Sequence, residues 1–331
     1  DFDNALTYLE QALQIREKLN VASDTADTLA LIGQVYATTG KYDDALRASM
    51  RSLELYRKAG NSRGVAEQSH QIGLIFEYQG RIGSAVSAMK DAVNRYRTLA
   101  DRSADMAEAL KDLAEIQAQA GNGSDSGVVL QEAQSLARDL NNERLQAEIL
   151  DTAGDVKLYA GEWEAANRSY TQALRTAAQS GAHDVVLAAK LHLAEILLGR
   201  GDSHSSLRAF RTVAQQANRS NLKHLSLLSS LDMAEALISN KNYSNAVQAL
   251  EADLASSENL GARYQTARIH CLLGNALRQS GKGADAALHY RQALAIMDDI
   301  QKEPGAEKLL RRIDARKIYE SARQGPRLLP N

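Results

Sequence analysis

A small residue returns on a fixed schedule along this chain. Gly33, Gly73, Ala114, Gly154, Ala194, Ala234 and Gly274 are spaced by 40 residues, with a single interval of 41. Seven residues beyond each lies a turn position: Gly40, Gly80, Gly121, Gly161, Gly201, Lys241 and Gly281. Self-similarity at this period describes an array whose units touch their neighbours, not a single closed core. A length of 331 residues would otherwise suggest two or three domains. Here it implies one continuous body.

Each unit carries two apolar stripes of helical period, split by a short turn. In the first full unit Leu29, Ile32, Val35 and Tyr36 share one face. Thr39-Gly40-Lys41 interrupts it, and Tyr42, Ala45, Leu46, Ser49 and Leu53 form the face of a second helix. Gly40 suits the left-handed position that ends a helix. The only prolines are Pro304, Pro326 and Pro330, which leaves some three hundred residues without a helix breaker. The periodic small residue is expected to face the second helix of its own unit, where a larger side chain would force the pair apart. The fold class is therefore all-α: a solenoid of seven helix-turn-helix units starting near residues 23, 63, 104, 144, 184, 224 and 264. A half-unit at 1–20 precedes them. Residues 1–6, DFDNAL, match KYDDAL at 41–46, the opening of a second helix. The expectation is that the first helix of this half-unit is missing and that the chain was excised from a longer protein.

Three places break the pattern. The segment 120–127, AGNGSDSG, lacks the usual aromatic at its turn and predicts a looser or kinked joint. Asp253 stands in a slot where alanine is the rule. A lone buried carboxylate is costly, so it must turn outward or find a partner, with Arg268 and His270 nearest by register. After about 302 the period stops, and 303–331 reads as a basic capping helix and tail, with one amphipathic helix over 305–324. Over 305–331, Lys308, Arg311, Arg312, Arg316, Lys317, Arg323 and Arg327 outnumber Glu307, Asp314 and Glu320, a net +4. The simplest role is a cap over the last unit's core. The alternative is that it folds back on the groove of its own or a neighbouring chain and blocks it.

Little supports catalysis. The seven histidines form no HExxH motif and no Cys/His cluster of zinc spacing. His192 and Glu195 share a helix face at i, i+3 but have no evident third ligand. The string GNALRQSGKG lacks the spacing and the Ser/Thr of a phosphate-binding loop, and NGSDSG lacks the terminal glutamate of a calcium loop. No enzyme, metal or cofactor is expected. The net charge of −2 exerts no global pull on nucleic acid or anionic membrane. No apolar run reaches the roughly 20 residues of a membrane span. The lone Cys271 points weakly to a reducing, cytoplasmic compartment; an extracytoplasmic domain of a membrane-bound sensor stays open.

The pattern Leu/Ile-Gly-x-x-Tyr, then Gly-x-Tyr-x-x-Ala, then an aromatic and Ala-Leu, resembles the tetratricopeptide repeat over about residues 1–300. The usual repeat is 34 residues; units of 40 resemble the long-repeat branch of kinesin light chain, GoLoco-type G-protein regulators and bacterial signalling-linked domains. The resemblance implies a right-handed superhelix whose first helices line a concave groove. It also implies groove positions at −6, −3, +1 and +4 from the periodic small residue. On that register the candidate partner-binding residues are Glu67, Glu77, Glu108, Lys111, Glu115, Glu148, Asp151 and Asp155 in the acidic first half. Leu191, Glu195, Leu198, Leu228, Leu231 and Glu235 follow in an apolar stretch with a thin acidic line. Arg268, Asn275 and Arg278 make a basic end. Such a lining repels phosphates and favours a basic or amphipathic peptide or protein segment. Two readings remain: an interaction scaffold, or a ligand-sensing regulatory domain of a multidomain signalling protein.

Overall fold

Each of the first fourteen helices stops where one residue adopts a left-handed backbone. The turns inside units place Gly40, Gly80, Gly121, Gly161, Gly201, Lys241 and Gly281 at φ between +60° and +88°. At the first of them the Gly40 amide donates to the Ala37 carbonyl and that of Lys41 to Tyr36, which satisfies the last carbonyls of the helix. The computed structural model describes residues 2–325. α1 (Phe2–Leu19) packs against the first of seven helix pairs. These are α2 (Ala22–Thr38) with α3 (Tyr42–Lys58), α4 (Ser62–Tyr78) with α5 (Ile82–Thr98), and α6 (Ala104–Gln119) with α7 (Gly123–Asp139). Then come α8 (Glu143–Tyr159) with α9 (Trp163–Ser180), α10 (His183–Gly199) with α11 (Ser203–Arg219), α12 (Lys223–Ser239) with α13 (Tyr243–Asn259), and α14 (Arg263–Gln279) with α15 (Gly283–Gln301). A 3₁₀ turn (Leu309–Arg311) and α16 (Ile313–Gln324) complete the described chain.

The periodic small residues sit where the two helices of a pair cross. A Cβ on Gly154 would lie 2.2 Å from the Tyr170 ring of α9, and one on Gly274 2.6 Å from the Tyr290 ring of α15. Both tyrosines are fully buried, so glycine in the first helix makes room for an aromatic in the second. The result is a right-handed α-solenoid. It winds far enough to meet itself: a Cβ on Gly80 would lie 3.0 Å from Cβ of Arg263, and Gly261 approaches the backbone of Gln79. The turns of the first two units thus abut the entry to the seventh, and the first helices enclose a channel.

The C-terminal segment crosses that channel instead of covering the last unit alone. The expected single helix over 305–324 is broken. Gly305 is left-handed and Arg312 extended, leaving the 3₁₀ turn and a 12-residue α16. We call residues 303–324 the strap. The Gly83 amide donates to Glu303 (3.4 Å), and Arg312 Nη1 donates to the Gln119 carbonyl (3.1 Å). Leu309, Ala306, Ala315, Ile318 and Ala322 are buried. Arg327, part of the basic tail, lies outside the described residues.

Two expectations are corrected. The turn at 120–127 is not a loose joint: Gly121 and Asn122 make the same closing hydrogen bonds as the other turns (2.9 and 2.8 Å). Its glycine is instead where the strap docks, since a Cβ there would meet the Lys308 carbonyl oxygen at 1.9 Å. Asp253 is half-buried, but its hydrogen-bond partner is Ser230 of α12, not Arg268 or His270. Its other oxygen has no partner, and burial pushes the carboxyl above its usual range. A raised carboxylate pKa opposes folding once the group ionises. Asp253→Ala is therefore expected to raise stability at pH 7 by about 1 kcal/mol, through helix propensity and removal of the unpaired oxygen. Urea melts that shift to lower midpoint would reject this account.

Candidate functional site

The register places one line of charged side chains from α4 to α14 inside the channel. At its start Glu77 accepts from Gln119 Nε2 (2.8 Å); burial, then Glu115 and Asp112, raise its carboxyl well above the normal range. His70 meets Asp112 across α4 and α6 (2.7 Å), and Lys111 contacts both Asp112 and, at 3.9 Å, Glu115. Burial alone would raise Asp112, but Lys111 and His70 outweigh it and hold it strongly ionised. Glu115 gains less from Lys111, and burial pushes it up to about 7. A third of its side chain still faces open space.

Further along, His192 of α10 lies between two carboxylates of α8. Nδ1 is 3.1 Å from Asp151, and Nε2 is 3.8 Å from Asp155. Tyr170 donates to Asp155 at 2.7 Å. Burial disfavours the imidazolium, but Asp151 and then Asp155 raise its pKa well above the ordinary value. Burial brings Asp155 up to about 6. These three residues offer donor atoms within 4.8 Å of one another, the one such group of three among the described residues. Both imidazole nitrogens face a carboxylate, at hydrogen-bond distance on the Asp151 side only. Glu195 is not part of the group. Burial and Asp232 raise its carboxyl well above the usual range. Arg268 then closes the line, donating to Asp232 (2.5 Å) and Glu235 (2.8 Å), while Lys317 of the strap reaches Glu235 at 3.0 Å. Burial would raise Glu235, but Arg268 and Lys317 bring it down to about 2.

Not every expected groove residue faces the channel. Several −3 positions are a seam between successive first helices: His70, Leu191, Leu231 and Cys271 are buried there, whereas Lys111 and Asp151 border open space. Leu191 and Leu231 are completely withdrawn from solvent and are no apolar anchors for a ligand. Leu198 and Leu228 pack half-buried around Leu191. Asn275 is turned to its own unit and accepts from Tyr290 (2.9 Å), and Arg278 Nε is buried without a partner. Glu67 and Glu148 accept from Arg63 and Arg144 (2.9 Å each), arginines that also bridge to Asp105 and Asp184 of the following first helices. Glu108 stays exposed.

What remains open is a cavity of about 370 Å³ between the middles of α6 and α8 and the first turns of α10 and α12. Lys111, Glu115, Glu148 and Asp151 line it on one side, and Val185, Leu222 and Leu225, with Asp184, Lys223 and His224 among them, on the other. The strap lies toward the other end of the first helices, near Gln119, Tyr159 and Glu235. There Arg312 is 5 % exposed, its guanidinium carbon 3.9 Å from the Tyr159 ring centre and 4.6 Å from that of Tyr264. Asp112, Asp232, Tyr159 and Tyr264 were missed in the sequence, and His192 was noted only beside Glu195, not with Asp151 and Asp155. Asp112, His192 and Asp232 share one offset, two residues before the periodic small residue, which is the signal that could have exposed them.

Family models described as "Tetratricopeptide repeat" match residues 1–58, 24–98 and 231–299, together about half of the chain. Comparison with curated protein sequences returns no match. Among solved structures, a Rap protein complexed with Competence and Sporulation Factor aligns with TM-score 0.67 at 13% identity, over 90% of this chain and 86% of that one. The Rap conjugation gene regulator of plasmid pLS20, in complex with the Phr* peptide, gives 0.66 at 13% identity, over 86% and 76%. The apo quorum sensor NprR from B. thuringiensis gives 0.57 at 13%, over 89% and 83%. At these identities the likeness is one of fold.

Proposed function

We propose, for a chain that belongs to the tetratricopeptide-repeat family, a role as a non-enzymatic scaffold that binds a basic or amphipathic peptide in its channel. The observation that carries this is the cavity, where three carboxylates and the single cation Lys111 face a side of mixed apolar and polar residues that includes Val185, Leu222 and Leu225. Channel carboxylates outnumber their cations. Glu77, Glu115, Asp155 and Glu195 are all pushed toward the protonated form by burial. A ligand amine or guanidinium at Glu115 and Asp151 would supply the missing charge, while Leu222 and Leu225 would take an apolar side chain. That the fold-level neighbours include proteins solved with a factor or a peptide bound supports the same reading. It also gives weight to a second one, a ligand-sensing domain of a larger regulator, since a quorum sensor shares the fold.

The test is titration with a fluorescein-labelled synthetic peptide of alternating leucine and lysine. Glu115→Lys is expected to weaken binding at least tenfold, about 1.4 kcal/mol. The pH dependence has a fixed sign. Glu115 at about 7 and Asp155 at about 6 are raised above ordinary carboxylates, so a cation must expel protons to pair with them at low pH. Affinity should therefore fall as pH drops from 7.5 to 5.5, and Glu115→Gln should flatten the profile. Binding that is indifferent to both changes would falsify the proposal.

A further inference from the structure

The strap fills one end of the channel with a single arginine. We propose that Tyr159, Tyr264 and the Gln119 carbonyl form a guanidinium-binding subsite, occupied in cis by Arg312, from which an arginine of an incoming basic peptide displaces it. This rests on the peptide-binding reading and names the ligand chemistry at the strap end of the same channel. The geometry is that of a recognition site. The guanidinium lies between two rings at 3.9 and 4.6 Å, and Nη1 donates to a main-chain carbonyl at 3.1 Å. Rings on both sides and one acceptor select a flat cation over an ammonium.

The polar contacts of the strap are arranged so that it can leave without stranding charge. Arg312 carries its own counter-ion, Asp314, two residues away, so the pair departs together and the subsite left behind is neutral. Tyr264 donates to Asp314 at 2.6 Å, and its hydroxyl can turn to water. Glu235 loses Lys317 but keeps Arg268. Arg263 loses Glu303 but keeps Asp299. Each channel group the strap contacts through charge thus has a second partner. Three of the strap's five fully packed apolar side chains are alanines: Ala306, Ala315 and Ala322. A guanidinium arriving from the open cavity would pass Asp151 and Asp155, and Asp155 already feels the charge of Arg312.

The chain offers its own lock for a test. Cys271, its one cysteine, lies 3.7 Å from the Ile318 carbonyl of α16 and hydrogen-bonds to the Ser321 side chain. Ser321→Cys places two thiols within bridging reach, so oxidation pins the strap in the full-length chain and reduction frees it. The probe is a labelled synthetic peptide of alternating leucine and arginine, with a control in which citrulline replaces arginine. Oxidised Ser321→Cys should bind the arginine peptide at least tenfold more weakly than the same protein reduced. Arg312→Ala should bind it at least tenfold more tightly than the parent and show no such gain with citrulline. Equal binding by locked, unlocked and Arg312→Ala forms overturns the subsite while leaving peptide binding intact. No binding by any form overturns both. If Arg312→Ala fails to fold, the redox pair decides alone, because it changes no charge.

Discussion

Arg268→Leu is expected to cost about 3–5 kcal/mol of stability at pH 7, the loss typical of removing one partner from a buried ion pair. Arg268 is the cation that holds Asp232 and Glu235 together. The Asp232 side chain is 1% exposed, and its second oxygen has no partner even in the parent. Leucine would leave Asp232 and Glu235 without the cation they share, with Glu195 beside Asp232 already forced toward its protonated form by burial. The loss should shrink in acid. Glu235 is held down at about 2, so its pairing contributes above the ordinary carboxylate pKa near 4 and is lost as pH falls toward 2. Arg268→Lys, which keeps the charge but not the two-armed geometry, should recover part of the difference. Urea melts at pH 7 and pH 4 measure all three. A leucine variant within 1 kcal/mol of the parent at pH 7 would mean that the charges are solvated and the channel is wet at this point.

The array was legible because each part of its signal is local. A helix pair requires an apolar residue every three or four positions, a left-handed turn and a small crossing residue, all within 40 residues of one another. The same register put Glu115, Asp155, Glu195 and Arg268 in the channel. At −3 it failed for Leu191 and Leu231, which the curvature of the array turns into the seam between first helices, but not for Lys111 and Asp151, which border the cavity. A family offset cannot say whether Leu191 faces a ligand or the next helix. Asp253 shows the other limit: its departure from the alanine rule was visible, but its partner Ser230 lies one helix back, Arg268 is already held by Asp232 and Glu235, and His270 faces His289. The strap was beyond any periodic reading. Arg312 reaches Gln119 across 193 residues, and nothing in the basic composition of 305–331 distinguishes a cap from a segment threaded between Tyr159 and Tyr264.

Gly83 provides a test of the strap that leaves the strap's own sequence untouched. It lies in the first turn of α5, where replacing glycine by alanine ordinarily stabilises a helix, by at most about 1 kcal/mol. Here the new Cβ would sit 1.9 Å from the Pro304 carbonyl oxygen and 2.8 Å from its carbon. Those are backbone atoms and cannot rotate away, so α5 and the strap must separate locally. Gly83→Ala is therefore expected to destabilise, against its helix propensity. Separation would weaken the burial of Leu309, and fully exposing one such side chain costs about 1.5–3 kcal/mol. It should also expose the Arg311–Arg312 bonds to trypsin well before the array itself is cut. The neighbouring Ser84→Ala, which adds no atom against Pro304, is the control for helix propensity on α5. If Gly83→Ala raised the melting midpoint, and 303–324 stayed as resistant as in the parent, the strap would not rest on α5 and its role in closing the channel would have to be abandoned. If instead the strap loosens while the circular dichroism of the array is kept, the solenoid holds its shape without it, and the segment is an occupant of the channel rather than a part of its wall.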